Sequence, residues 1–201
     1  MSNTKEKIFN AALDLFAEVG YRSTSVRDIA EKVGIRESSI YNHYQSKEAI
    51  LDDILNSFIK DNLADFPNED VLLASMSQNT VEEFWILGQE RFHRFITSPG
   101  VEKTFRIMMS THFYNPRAQH TLLSLLHWYI GQVEIILERM IKKNLIRKVD
   151  SRVAATQYVY VILAFLLELF ATDTSKRQQA IIESTVNKHI EFFFNNLKQK
   201  P

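Results

Sequence analysis

The stretch "VRDIAEKVGIRESSIYNHYQSK" runs from Val26 to Lys47. Two short helical patterns flank one glycine, Gly34. Ser25 and Asp28 match the [ST]-x-x-[DE] signal that opens a helix. Gly34 permits a backbone conformation that a β-carbon disfavours, so the first helix stops there. Ile29, Val33, Ile35 and Ile40 are spaced to point inward, and Ala30 supplies a small side chain where the two helices cross. This is the helix-turn-helix arrangement, in which the second helix enters the DNA major groove. A second helix over about 36–44 leaves Arg36, Glu37, Ser38, Ser39, Tyr41, Asn42 and His43 outside. They offer donors, acceptors and flat rings, which suit base edges and phosphates. A plain helical hairpin with a solvated polar face has the same pattern.

Working outward, Asn3 and Glu6 form a capping-box pattern ahead of a first helix. Its apolar positions are Ile8, Phe9, Ala12, Leu13, Phe16 and Val19, and Gly20 ends it. Ser46 caps a long fourth helix with an apolar face at Ile50, Leu51, Ile54, Leu55, Phe58 and Ile59. Pro67 and "NEDVLLASMSQNT" read as a linker. Further helices are expected near 80–97, 100–113, 117–144, 151–172 and 175–198, broken at Pro99-Gly100 and Asn115-Pro116. Asp150 or Ser151 can cap the fourth of these. With 5 glycines, 4 prolines and no strand-like alternation, the 201-residue chain reads as all-α.

Composition narrows the function. The chain is 45% hydrophobic and 24% charged, as ordinary globular proteins are. It has no cysteine, hence no disulfide framework and no thiolate chemistry. That fits a reducing cytoplasm, as does the polar N-terminus. Formal net charge is zero, which leaves DNA binding to a local face. No metalloprotease, phosphate-loop, dinucleotide or nucleophile-elbow motif is present. We expect no catalytic residues, no metal, no cofactor and no enzyme. His120 and His127 can share a helix face, but such histidines are more often ordinary core or surface residues.

The first fifty residues resemble the DNA-binding domain of the tetracycline-repressor (TetR) family of transcriptional regulators. The resemblance lies in "AALDLFAEVGYRSTSVRDIAEKVGI" and "SIYNHYQSKEAIL", through Phe16, Gly20, Tyr21, Thr24, Ser25, Ile29, Ala30, Gly34, Ile35, Tyr41, His43, Tyr44, Ser46, Lys47 and Glu48. It covers about a quarter of the chain. Arg36 departs from it, standing where many members have a small capping residue. The resemblance implies an N-terminal helix-turn-helix three-helix DNA-binding domain, residues 1–47, and a larger C-terminal helical ligand-binding and dimerisation domain, residues 48–201. It places Tyr41, His43 and Lys47 at phosphates or bases, Thr24 and Ser25 at phosphates, and Arg27 near the groove. Glu37, Ser38, Ser39 and Asn42 fall where base choice is set. Glu37 either accepts from a cytosine amine or pairs with a neighbouring Arg or Lys. Tyr44 reads as core.

"RVAATQYVYVILAFLLELFATD" (152–173) is the most apolar stretch. It is short for a membrane span and contains Gln157 and Glu168, so no membrane is expected. Burial on all sides is expected instead, partly against a second subunit. The last helix adds Ile181, Ile182, Thr185, Val186, His189, Ile190, Phe193 and Leu197. By resemblance, these two helices pair with those of a second chain as a four-helix bundle, giving a homodimer.

An aromatic and Met-rich set comprises Trp85, Phe92, Phe105, Met108, Met109, Phe113, Trp128, Tyr129, Tyr158 and Phe165. Such residues fill cores, yet they also line sites for apolar or aromatic small molecules. The expected function is a sequence-specific DNA-binding regulator. It is read as a homodimeric repressor on a near-palindromic double-stranded operator, released by a small-molecule effector. The alternatives are a helical ligand-binding or protein-interaction module without specific DNA binding, and a nonspecific DNA binder.

Overall fold

The computed structural model describes residues 4–64, 80–170 and 175–199. Asn3 and the 67–79 part of the expected linker lie outside them. Among the described residues the secondary structure is helical, with one isolated antiparallel bridge between Ile146 and Lys198.

The first compact unit comprises Met1–Asp65 and Ser98–Leu123. It holds α1 (Thr4–Glu18), α2 (Val26–Val33), α3 (Glu37–Ile40), α4 (Lys47–Ala64) and α6 (Val101–Thr111). It also holds the start of α7 (Pro116–Lys142). Helix α1 packs on α2, α4 and α6. Its core is Ile8, Ala12 and Phe16 from α1, Ile29 and Ala30 from α2, Ile40 from α3, and Ile50, Leu51, Ile54 and Leu55 from α4. Val19, expected on the apolar face of α1, lies past its end and is exposed. Two charge clusters tie the helices together. Asp14 of α1 pairs with Lys32 at 3.1 Å and with Lys103 at 2.6 Å. Arg117 reaches Asp52 at 3.4 Å and donates to Asn56 at 2.7 Å.

The helix ends follow the sequence signals. Ser25 and Asp28 form a complete capping box at the start of α2. Gly34 ends it in the left-handed region, with φ +76°. A β-carbon there meets nothing within 4 Å, so the glycine answers to backbone strain alone. Gly34→Ala is therefore expected to cost about 1–2 kcal/mol, the left-handed penalty for an L-residue, measured by urea denaturation. A loss above about 3 kcal/mol would mean that packing also fails.

One boundary differs from the reading. The expected helix over 36–44 is regular only from Glu37 to Ile40. Arg36 makes no side-chain cap, so the helix starts without that support. At its other end the His43 N–H reaches back to the Ile40 carbonyl at 2.8 Å, which tightens the helix into a turn.

The second unit comprises Phe66–Thr97 and Ser124–Pro201. It holds α5 (Val81–Thr97), the rest of α7, α8 (Ser151–Leu169) and α9 (Lys176–Leu197). The backbone N–H groups of Thr80 and Glu83 each donate to the other's side-chain oxygen at the start of α5, Asp150 caps α8, and Ser175 with Gln178 boxes the start of α9. Helix α9 packs on α5 and α8. Its buried row is Ile182, Val186, Ile190, Phe194 and Leu197, whereas Ile181 and Thr185 of the expected stripe are exposed. Helix α8 is long and apolar enough to cross a membrane by length and composition, and 28% of its most apolar window is buried within one chain. Val153, Tyr160 and Leu167, seven residues apart, are exposed on it.

Candidate nucleic-acid interface and effector pocket

Within residues 36–43 one side chain, that of Ile40, is buried. Ile40 is 1% exposed, and it is the buried residue of α3. Its neighbours face outward. Arg36, Glu37, Ser38, Asn42 and His43 are exposed, Ser39 is half-buried, and Tyr41 is 51% exposed. A tyrosine that open on a short helix is not filling a core. Among the described residues Glu37 has no ion-pair partner. Tyr44 is buried, and its hydroxyl donates to Asp53 Oδ2 at 2.7 Å. Burial and that carboxylate raise the Tyr44 phenol well above its ordinary pKa, so it stays neutral.

At the start of α2, Ser25 and Arg27 are exposed. The Ser25 hydroxyl donates to Asp28 Oδ2 at 2.7 Å and accepts from the Asp28 N–H. The Ser25 backbone N–H, which donates to Asp28 Oδ2 at 2.7 Å, and then the Ser25 hydroxyl hold the Asp28 carboxyl below its ordinary pKa. Thr24 faces the other way. It is 2% exposed and donates to the Gly20 carbonyl at 2.9 Å, closing the turn after α1. The ammonium of Lys47 is turned inward as well. It donates to the carbonyls of Tyr21 at 2.8 Å and Thr24 at 2.7 Å. The resemblance places Thr24 at phosphates and Lys47 at phosphates or bases. Their inward bonding left no pattern in the sequence, because a Thr or Lys beside a turn serves either purpose.

The aromatic set divides between the two units. Phe105, Met108, Met109 and Phe113 belong to the first. There Phe105 and Met108 are core, Met109 is half-buried, and Phe113 is 87% exposed with its ring on that of His112 at 3.8 Å. Trp85, Phe92, Trp128, Tyr129, Tyr158 and Phe165 belong to the second. Phe92 is buried, and the other five are half-buried. Trp85 lies under the Lys198 ammonium at 4.9 Å, and Trp128 meets Tyr129 edge to face at 5.0 Å.

The α8–α9 seam brings Tyr158 and Phe165 together with two residues outside the expected set, His189 and Phe193. Tyr158 stacks on His189 at 6.2 Å and meets Phe193 at 5.0 Å. Phe165 lies 6.0 Å from His189. Nε2 of His189 is buried without a hydrogen-bond partner among the described residues. Desolvation lowers the His189 pKa, which favours neutral imidazole. Its place in the α9 stripe was legible, but its role as the polar atom of an aromatic seam was not. His120 and His127 are exposed.

Comparison with known proteins agrees with this geometry. Residues 8–54 match the family described as "Bacterial regulatory proteins, tetR family", and residues 88–196 match "AefR-like transcriptional repressor, C-terminal domain". The transcriptional repressor KstR2 of Rhodococcus jostii is 45% identical over 60 residues, which is 30% of this chain and 29% of that protein. IcaR of Staphylococcus aureus, a negative regulator of the biofilm operon icaADBC, is 40% identical over 62 residues, 27% of this chain and 33% of its own. The alignments therefore span about a third or less of these relatives' length. Among solved structures, the fatty acid degradation regulator FadR of Bacillus halodurans superposes with a TM-score of 0.69 at 17% identity, covering 100% of this chain and 99% of its own. A TetR transcription regulator from Haloarcula marismortui gives 0.72 at 13% identity, covering 99% and 100%. These structures share the fold. With the C-terminal match alone spanning more than half of its length, the chain belongs to the TetR family of bacterial regulatory proteins.

Proposed function

We propose that the protein is a homodimeric transcriptional repressor that reads a near-palindromic operator and is released by an apolar or aromatic effector. Residues 1–47 form the DNA-binding domain, and residues 48–201 form the ligand-binding and dimerisation domain. One observation carries the DNA reading. The segment 36–43 turns a single apolar side chain, Ile40, into the core and leaves its polar and aromatic residues in solvent. A solvated helical hairpin also leaves polar residues outside; the half-exposed Tyr41 ring among them favours the DNA reading. Arg36, Glu37, Ser38, Ser39, Tyr41, Asn42 and His43 then face the major groove, with Ser25 and Arg27 at its edge. Thr24 and Lys47 hold the loop behind them. Activity on DNA places the protein in the cytoplasm, and regulators of this family provide no reason to expect an enzyme.

Two copies of the reading segment must lie about 34–36 Å apart, or a multiple of it, to meet successive major grooves. The test is footprinting and gel shift on the DNA upstream of the protein's own coding region. Two protected half-sites related by a dyad support the reading. Protection of one unrepeated half-site by a monomer sinks it. Asn42→Ala is expected to relax preference at one or two base pairs, at about 1–3 kcal/mol for a bidentate contact. Binding to cognate and random operators compared by fluorescence anisotropy checks this, and an equal loss on both counts against it.

The effector reading rests on the seam of Tyr158, Phe165, His189 and Phe193, where a neutral imidazole stands among rings. Sites of this composition take apolar ligands and orient them with few polar atoms. An effector releases DNA only by binding the DNA-incompetent state more tightly. Operator must then weaken effector binding by the same factor. Tryptophan quenching with and without operator tests this, and equal affinity in both would separate effector binding from DNA release.

A further inference from the structure

We infer that Arg36 and Glu37 set base choice in each half-site, Arg36 by seeking guanine and Glu37 by accepting from a cytosine amine and penalising the other bases. This rests on the DNA reading above and names the bases that the reading segment takes. Arg36 precedes the first turn of α3 in extended backbone, at φ −73° and ψ 145°, and its side chain makes no cap. It is exposed, and among the described residues its guanidinium has no hydrogen-bond or ion-pair partner. A side chain that does nothing for its own helix is open to a ligand. Its planar fork of N–H donors matches the O6 and N7 acceptors of guanine in the major groove. The residues that open a recognition helix are those that meet base edges.

Glu37 is exposed as well, and it pairs with no cation among the described residues. Arg36 beside it does not serve, and Lys32 of α2 is engaged by Asp14 at 3.1 Å. A bare carboxylate on a surface that approaches phosphates is repelled by them. That repulsion is offset only where the DNA supplies a donor. In the major groove the donors are the amines of cytosine and adenine. Adenine carries the N7 lone pair beside its amine, which repels the second carboxylate oxygen, so cytosine is the base that fits. Glu37 thus lowers affinity for DNA at large and adds discrimination by doing so. Consecutive residues reach the same or neighbouring base pairs. Each half-site is therefore expected to carry guanine and cytosine at neighbouring positions.

The experiment begins with selection of binding sequences from a pool of random duplex DNA by the full-length protein. Affinities are then measured by fluorescence anisotropy on the enriched motif, on its single base-pair variants and on random duplex. Glu37→Gln should cut the preference for cytosine about tenfold or more and admit adenine, whose amine and N7 an amide reads together. The same change should raise affinity for random duplex about threefold, because one repelled charge is gone. Arg36→Ala should erase the preference at guanine alone. Arg36→Lys should erase it too, since it keeps the charge and loses the fork. Both side chains are exposed and unbonded, so urea denaturation should find the parent stability in each variant. If Arg36→Ala weakens cognate and random duplex equally, with a salt slope shallower by about 0.9, Arg36 is a phosphate ligand and its half of the inference falls. If Glu37→Gln leaves base preference unchanged, whatever happens to stability, Glu37 serves only the start of the helix and the other half falls. An enriched motif without neighbouring guanine and cytosine overturns both halves while the DNA reading stands. A protein that enriches no sequence loses the DNA reading itself, and this inference with it.

Discussion

Leu167→Arg is expected to leave a folded single chain and to abolish both the dimer and operator binding. Leu167 is 45% exposed within one chain. An arginine there reaches water and costs the isolated fold little. Helix α9 exposes the apolar residues Ile181 and Phe192, and α8 exposes the row Val153, Tyr160 and Leu167. A shallow apolar depression on the same helix is lined by Gln157, Tyr160, Val161, Ala164, Phe165 and Glu168. Surfaces of this kind mark interfaces. If the partner covers them, each arginine becomes an unpaired buried charge, which costs about 3–5 kcal/mol. Two-fold symmetry places one such charge in each subunit. At about 1.4 kcal/mol per tenfold, the association constant should fall by a factor of roughly 10⁴ or more. Light scattering should report the mass of one chain, with unchanged helical circular dichroism. Operator affinity should fall with it, because a linked pair of reading segments gains about 10²–10⁴ over one. An unchanged dimer would place the interface elsewhere.

Much of this architecture was legible because local chemistry and tertiary packing agree in it. The Ser25–Asp28 box, the left-handed Gly34 and the buried Ile29, Ala30 and Ile40 all follow from spacing. What was not legible depends on direction. Thr24 and Lys47 carry the right groups for a phosphate, and only three-dimensional placement shows that both turn to loop carbonyls. The third helix was read too long because helical periodicity continues through Tyr44. Tyr44 is indeed buried, but it arrives there through a turn. The aromatic set was read as one cluster from composition alone. Composition cannot tell that Phe105 and Met108 serve the core of one unit while Tyr158 and Phe165 meet His189 in another.

Ile40→Ala should strongly damage the DNA-binding half. Ile40 is the one buried side chain of a four-residue helix. A helix that short has no stability of its own, since nucleation is not offset by propagation. Its position depends on packing against α2 and the rest of the first core. Truncating a fully buried isoleucine costs about 2–5 kcal/mol, the upper part of the range when the site cannot collapse around the gap. The backbone bonds from His43 and Tyr44 to the Ile40 carbonyl do not compensate, because they fix the turn but not its docking. The reading segment should therefore sample undocked positions, and cognate operator affinity should drop about a hundredfold or more. Binding to random DNA should drop less, because charge contacts need less exact placement. Ser38→Ala, at an exposed position on the same helix, is the control and should change stability by no more than about 0.5 kcal/mol. Urea denaturation and fluorescence anisotropy on cognate and random duplexes measure both quantities. A stability loss below about 1 kcal/mol with operator affinity retained would show that the segment is held by something other than Ile40, and the single-anchor account of this surface would fall.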